Sequence, residues 1–547
     1  MKLLKIIFIV LLLLTNQSCS KGEAFIRVSQ VGFAKNDIKI AVILSSIKLD
    51  GTTFQVVDSK TETIEFKDEI GVDRGEFGNF QHTYEIDFTK FKKDGSYKIV
   101  VESYSSLKFE IRDNLFAPVV KELMKFFPIQ RCGYTNPSEH EVCHIADATS
   151  LIDGDKTSTE TIDVTGGWHD AGDYVKFLNT TAVTTYTLLF AYELDNKKFG
   201  FDYNKNNIPD ILEEAKVGLD WMLRAQTIDN RFITQVQNLQ DHEVGWRLPE
   251  NDSLTFNRPA YIGIGKNLIG IYSATMALAS RIWSGKLNHS EFSEKCLNAA
   301  KKYYSLRESV MDVDSSGTGH YLDKSFEGKL ALGAIELYES TKDLKYLTDA
   351  KKYGIESGAE HWWSYGNIST FAHFKLIKYY PSFIKLIEQS ITLFNSNSKS
   401  NLFGETVPLG WGSNVTQLGT AIQAILYKES VKKSKYDSLS IAVRDYMLGK
   451  NQWGISFASN IGTNYTRYFH HQISDIKKIE LPGGFAAGPT SKISLESYKL
   501  QYTKRDKFAK FQTDNAYYRD DKIDYVTNEP TIIGNAMAIL LFGYYSD

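Results

Sequence analysis

The sequence predicts a two-part chain, an all-β sandwich followed by an all-α toroid, and three observations carry that expectation. The first is a change of hydrophobic period. From Ala24 to about Asp113, short apolar runs alternate with polar residues at period two, with turn residues between them, which is the pattern of half-buried antiparallel strands. The second follows directly. Beyond about Leu115 apolar residues recur at helical spacing over long stretches, as Leu212, Ala215, Leu219, Met222 and Leu223 do. The third is composition: 42% hydrophobic and 24% charged residues in a chain of 547 describe a soluble protein able to bury a large core, and the length calls for more than one domain. A formal net charge of -3 excludes the basic field on which nucleic-acid binding relies.

The elements follow in chain order. Residues 1–18 read as an export signal, with a basic start and an apolar run from Ile6 to Leu14 that is too short to span a bilayer. The run ends in Thr15-Asn16-Gln17-Ser18-Cys19, which resembles a bacterial lipoprotein processing box with Asn16 in place of the usual Leu. On that reading Cys19 becomes a lipidated first residue, 19–23 a tether, and the protein an exported lipoprotein of the outer membrane. Cys132, Cys143 and Cys296 then remain, an odd count that argues against a disulfide framework. Candidate strands lie at Phe25–Val28, Lys39–Leu44, Thr53–Val57, Tyr84–Phe88, Tyr97–Val101 and Leu107–Ile111. This 24–113 sandwich carries no cluster of acids, bases or metal ligands, and its expected role is structural. In the 114–547 part, candidate helices include Thr180–Leu194, Ile211–Gln226, Asn267–Trp283, Lys329–Ser340, Thr416–Glu429, Leu439–Gly449 and Pro530–Tyr544. Paired helices without a fixed-length repeat close most economically into an α/α toroid, whose helix ends and loops form a cleft.

One stretch stands out within the helical part. GGWHDAGDYVKF (166–177) sets Asp170 and Asp173 three positions apart between Trp168 and Tyr174. Such a pair can cap a helix starting near Val175, but the flanking glycines and rings favour a tight surface made for a ligand. A hydrolytic pair also needs a protonated carboxyl across the scissile bond. Glu529 is the candidate, directly before Pro530 at the expected first helical position; its bland reading is a first-turn acid favoured by the helix dipole.

Together with QDHEVGWRLPE (240–250), PLGWGSN (408–414), DYMLGKNQWGISF (445–457), RYFHHQISD (467–475), LPGGFAAGP (481–489) and DYVTNEPTIIGNA (524–536), the stretch closely resembles family 9 of the glycoside hydrolases, the inverting cellulase family. IRVSQVGF (26–33) resembles the opening of that family's immunoglobulin-like accessory domain. The resemblance implies an immunoglobulin-like domain followed by an (α/α)6 barrel, and hydrolysis of a β-1,4-linked glucan (cellulose-like, mixed-linkage or xyloglucan-type) with inversion. It implies Asp173 as general base, Asp170 as its partner on the attacking water, and Glu529 as general acid. His470 and His471 match two residues of the family's substrate-contacting H-H-R, whose third is Gln472 here, and the family's D-E-L-A reads Gly328-Lys329-Leu330-Ala331. Gln lacks the charged fork of Arg, so an exo-acting enzyme on short oligosaccharides or amino-sugar chains is an alternative, and a glycan-binding lipoprotein without turnover is another. Trp246, Trp411, Trp453 and Tyr525 are candidates for stacking on sugar faces. Expected partners are a β-glucan and, through the lipid only, a membrane; the chain is expected to be a monomer.

Two metal sites are also expected. Cys132, Cys143, His144 and His169 supply the four N/S ligands of a closed structural zinc site, with His140 as a competing ligand, and relatives of this subtype carry zinc at the corresponding residues. In DYNKNNIPDILEE (202–214), Asp202, Asn204, Asn206 and Glu213 fall at positions 1, 3, 5 and 12 of a calcium loop, with Asn207 at the position usually held by Gly; Asp210 belongs to a family element associated with calcium. Asp312, Asp314, Ser316, Gly317 and Asp323 form a weaker echo. No organic cofactor is implied.

Overall fold

The computed structural model describes residues 22–317 and 321–546; the export signal and Cys19 lie outside the described residues. Residues 24–111 form two facing sheets. One pairs Ala24–Arg27, Ile40–Ser45 and His82–Asp87 antiparallel. The other runs Gly32–Phe33, Phe109–Ile111, Gly95–Val101, Thr53–Asp58 and Ile64–Glu69, with Tyr104–Ser105 added beside Gly95–Val101. Ile26, Ile43, Tyr84 and Ile86 of the first sheet join Phe54, Val56, Tyr97, Ile99 and Phe109 of the second in one buried core, as the period-two pattern requires.

The sandwich is tied to the helical part by polar contacts. The Gln30 amide donates to the carbonyls of Gly454 (3.2 Å) and Asn464 (2.9 Å), and its oxygen accepts the N–H groups of Thr463 and Asn464 at 2.8 Å. Arg27 donates to the Gln452 carbonyl at 3.0 Å. The buried Arg444 guanidinium meets Asp37 at 2.8 Å.

The helical part is a closed ring. Leu178–Leu194, Lys266–Gly285, Glu327–Thr341, Ser369–Ile377, Ser413–Val431 and Ile532–Tyr544 each pack on the next, and the last returns to the first. Leu178–Leu194 and Ile532–Tyr544 are buried almost all round, the mark of an inner position. Asp210–Arg224, Ser290–Tyr304, Leu344–Glu356, Ile384–Ser400 and Asp437–Met447 bury one face each and form the outer layer.

One local reading is corrected, the start of the last helix, and two further points are settled by the structure. No helix begins near Val175; Leu178 is the first helical residue and Phe177 its cap, so neither Asp170 nor Asp173 is a helix cap. Pro530 does not open the last helix, which starts at Ile532 with the Thr531 hydroxyl accepting the Gly534 N–H. A five-stranded sheet (Lys156–Ser158, Ser150–Asp153, Pro259–Gly263, Phe232–Val236, Lys176–Phe177) sits among the loops, its strands too short for a period to be read.

Candidate active site

A cleft of about 830 Å³ opens over one end of the ring. Many of its lining residues fall immediately before inner helices: 170–177 before Leu178, 321–324 before Glu327, 362–367 before Ser369, 411–412 before Ser413, and Glu529 before Ile532. Five inner helices thus direct their N-terminal, partially positive ends toward the same space, which favours negative charge there.

The acid turn is held by its own backbone. Asp170 N–H donates to the Val175 carbonyl, and the Asp173 carboxylate accepts the Val175 N–H, both at 3.0 Å. Gly172 has to be glycine: a Cβ there would lie 2.0 Å from the His470 carbonyl oxygen. That close approach lets the Gly172 N–H reach the Glu529 carboxyl at 3.3 Å and the Gly172 carbonyl accept the Gln472 N–H at 3.2 Å. Ile532 N–H donates to the Asp170 carbonyl at 3.0 Å. Residues from opposite ends of the domain are brought together in one cleft, with Glu529 in an extended residue between the short helix Tyr525–Asn528 and the last helix.

The two facing carboxyls are driven apart in charge. Burial acts to raise Asp173, but the His242 imidazole 2.8 Å away outweighs it and holds this carboxyl below its ordinary value. The same contact lifts His242 to about 9. Burial, then the charge of Asp173, push Glu529 well above the carboxylate range. Asp170 is pushed up to about 7, chiefly by burial, with the Thr180 and Tyr321 hydroxyls opposing the rise; its Oδ1 accepts from the Thr180 hydroxyl, and its buried Oδ2 has no partner at hydrogen-bond distance.

Of the sequence-predicted contacts, His470, Gln472, Trp246, Trp411 and Tyr525 line the cleft. Trp411, Tyr525, His470 and Trp246 form a continuous aromatic wall, with successive ring centroids 5.7, 5.7 and 5.1 Å apart. Gln472 accepts the Arg247 N–H at 3.0 Å. Two expectations fail. His471 is buried behind the wall, pushed down to about 3 by burial, bonded to Gln130 at 2.7 Å and capping a helix with its other nitrogen. Trp453 is 1% exposed, packs on Phe457 and Tyr518 and donates to Gln512. His242, Asp241, Tyr321, Trp362, Tyr365 and Tyr498 line the cleft as well and were missed. His242 and Asp241 stand in the quoted QDHEVGWRLPE, and the D-H pair was the available signal. Lys329, at the family's acidic position, is buried against Asp323 at 2.6 Å and Asn179 at 2.7 Å.

Behind the turn, Cys132, Cys143, His144 and His169 converge with one ligand atom each, all within 4.8 Å of one another, and can hold a metal ion. His140 is not among them; its two nitrogens face the carbonyls of Ile129 and Glu141. His144 Nε2 is fixed by Asp252 at 2.9 Å, leaving Nδ1 toward the cluster. Among the described residues the three cysteines, Cys132, Cys143 and Cys296, are buried and free. In the 202–213 loop, Asn204 and Asn206 side chains meet Glu213, and Asp202 accepts the backbone N–H groups of Asn206 and Asn207. Asn207 takes φ +70°, the left-handed conformation that Asn tolerates, so the missing Gly is no obstacle. Asp210 instead accepts the Tyr203 N–H. The weaker echo does not assemble: Asp312 pairs with Lys266, Asp314 with Ser316 and Asp323 with Lys329.

A closed ring of paired helices with a carboxyl pair in an aromatic cleft is the arrangement of a class, the (α/α)6-barrel glycoside hydrolases. Residues 116–542 match the model of Glycosyl hydrolase family 9, so the chain belongs to that family, and residues 21–106 match the cellulase N-terminal ig-like domain. A cellodextrinase of Butyrivibrio fibrisolvens is 26% identical over 512 residues, covering 85% of this chain and 90% of that protein. A xyloglucan-specific endo-beta-1,4-glucanase of Bacteroides ovatus is 23% identical over 572 residues, covering 94% and 92%. Among solved structures, a metagenome-derived family 9 endoglucanase superposes with a TM-score of 0.82 at 24% identity, over 96% of this chain and 99% of that one. A zinc-binding triple mutant of another family 9 endoglucanase gives 0.80 at 22%, over 94% and 99%.

Proposed function

We propose that the protein is an inverting endo-β-1,4-glucanase in which Asp173 is the general base and Glu529 the general acid. The observation that carries this reading is the meeting in one cleft of two carboxyls from opposite ends of the domain in unlike surroundings, Asp173 against the His242 imidazole at 2.8 Å and Glu529 with a single backbone donor, Gly172, at 3.3 Å; the first setting lowers and the second raises the carboxyl pKa. Asp173 takes a proton from water as that water attacks the anomeric carbon; Glu529 gives its proton to the leaving glycosidic oxygen. Asp170 offers its unpartnered Oδ2 to the same water. The aromatic wall supplies apolar faces for pyranose rings. Cellodextrinase, endoglucanase and xyloglucanase names among the relatives support a β-1,4-glucan as substrate class. Incubation with a panel of soluble β-glucans tests it: an early fall in viscosity and an α-configured first product by NMR are expected. A β-configured product overturns inversion, and trimming of ends without a fall in viscosity overturns endo action in favour of the exo alternative.

The reading includes two metals and an anchor. Zinc fits the buried cluster: its ligand-atom separations of 3.1, 3.6 and 3.9 Å lie within about 0.4 Å of the tetrahedral edges, about 3.3–3.6 Å for these N–N and N–S pairs, that follow from Zn–N and Zn–S bond lengths. Bound there, zinc crosslinks the 132–144 loop to the residue before Asp170. Calcium fits the oxygen set of Asp202, Asn204, Asn206 and Glu213. Export and lipidation of Cys19 rest on the sequence alone; palmitate labelling of the protein and not of Cys19→Ala is the expected result.

A further inference from the structure

Arg247 touches neither facing carboxyl, yet it stands between the metal cluster and the acid turn. Its Nε donates to Asp252 at 2.5 Å, and the other oxygen of Asp252 meets His144 of the cluster at 2.9 Å. Its terminal nitrogen meets Asp241 at 2.6 Å, and the other oxygen of Asp241 accepts the N–H of Tyr174, the residue after Asp173, at 3.1 Å. Asp241 also lies within 4.8 Å of the Asp173 and His242 polar atoms. Tyr174 closes the circuit. Its ring packs against His144 (5.4 Å) and His169 (4.9 Å) beneath the guanidinium (5.2 Å), and its hydroxyl donates to the Arg247 carbonyl. The Asp241, Asp252 and His144 side chains are wholly buried, and this fork is the closest cation to both carboxylates, with the buried Arg258 farther off at 3.7 Å from Asp252.

We propose that Arg247 is a positioning residue that couples the Cys2His2 cluster to the catalytic base, one edge of its guanidinium steadying His144 through Asp252 and the other steadying the Asp173 turn through Asp241. The proposal rests on the reading of Asp173 as base and of the cluster as a metal site. Because the same rigid fork serves both carboxylates, loss of the metal reaches the base through Arg247, and loss of Arg247 loosens the metal.

The test is a cycle on the full-length enzyme, with zinc content, zinc loss to a chelator and kcat and KM measured for wild type, Arg247→Met and Arg247→Lys, each before and after zinc removal. Residues that orient metal ligands typically change affinity or activity by about 10–100-fold. Arg247→Met is expected to lose zinc to the chelator at least about tenfold faster and to lower kcat by about 10–100-fold with KM within about twofold. Arg247→Lys, charged but unforked, should fall between the two and carries the comparison if Arg247→Met does not fold. Zinc removal should cost wild type about tenfold in kcat and Arg247→Met less than about twofold further, the non-additive signature of one coupled unit. Independent, multiplying losses overturn the proposal, as does zinc retention in both Arg247 variants equal to wild type. Full activity of Asp173→Asn, or a wild type that takes up no zinc, overturns it differently, by removing one of the two ends it joins.

Discussion

Asp173 sits in a turn tied on every side, whereas Glu529 stands in one extended residue between two helices. Asp173 has His242 against one oxygen and the Val175 N–H on the other, with the metal cluster, Tyr174 and Arg247 packed behind its turn. Glu529 has one backbone donor, Gly172, and the repulsion of Asp173. The difference teaches that proton affinity here is set by what surrounds a carboxyl: a cation and donors lower that of one, while burial and a neighbouring carboxylate raise that of the other.

The most drastic way to break the comparison is to remove either member. Asp173→Asn and Glu529→Gln should each lower kcat on a soluble β-glucan by about 10²–10⁴-fold, with the near-ultraviolet circular dichroism unchanged; activity near wild type in either reassigns that residue. Removing the metal tests the tied side alone. Chelation, or Cys143→Ala, should lower Tm by more than about 5 °C, read by calorimetry, whereas Glu529→Gln leaves Tm nearly where it was. An equal fall in both would erase the asymmetry.

A finer test replaces the cation. His242→Gln removes the charge that depresses Asp173, so the acidic limb of the kcat/KM profile should move to higher pH; a limb that stays put means that His242 does not set it. The sign for stability follows as well. His242 is raised from 6.5 to about 9 on folding, so its contribution is complete below pH 6.5 and fades as pH rises through about 9. The smallest expected effects lie on the aromatic wall. Trp246→Ala and Trp411→Ala should each raise KM about tenfold, on the order of 1 kcal/mol per ring face, with kcat changed far less. Trp453→Phe, away from the cleft, should leave KM alone.

Much of this arrangement was legible in the sequence, and its limits have physical causes. Asp170, Asp173 and Glu529 were readable because their types and neighbours carry the chemistry, and the four zinc-type ligands because few residue sets other than Cys2His2 do so. The sandwich and the ring followed from period. His242 was not singled out, because a lone His in a loop is ordinary until its distance to an acid is known. His471 and Trp453 were misread because a motif fixes chain position but not which way a side chain turns: His471 points back to Gln130 while its neighbour His470 faces the cleft. The first residue of the last helix was misplaced because Pro530 suits the segment before a helix as well as its first turn.

The grip on Gln30 has a consequence for how this gene can change. One side chain of the sandwich satisfies backbone groups at Gly454, Thr463 and Asn464, in the stretch that leads to His470 of the cleft. A barrel separated from its sandwich would expose those groups and strip the buried Arg444 of Asp37. A foreign sandwich grafted onto this barrel would therefore have to supply the equivalents of Gln30 and Asp37 to leave those groups satisfied.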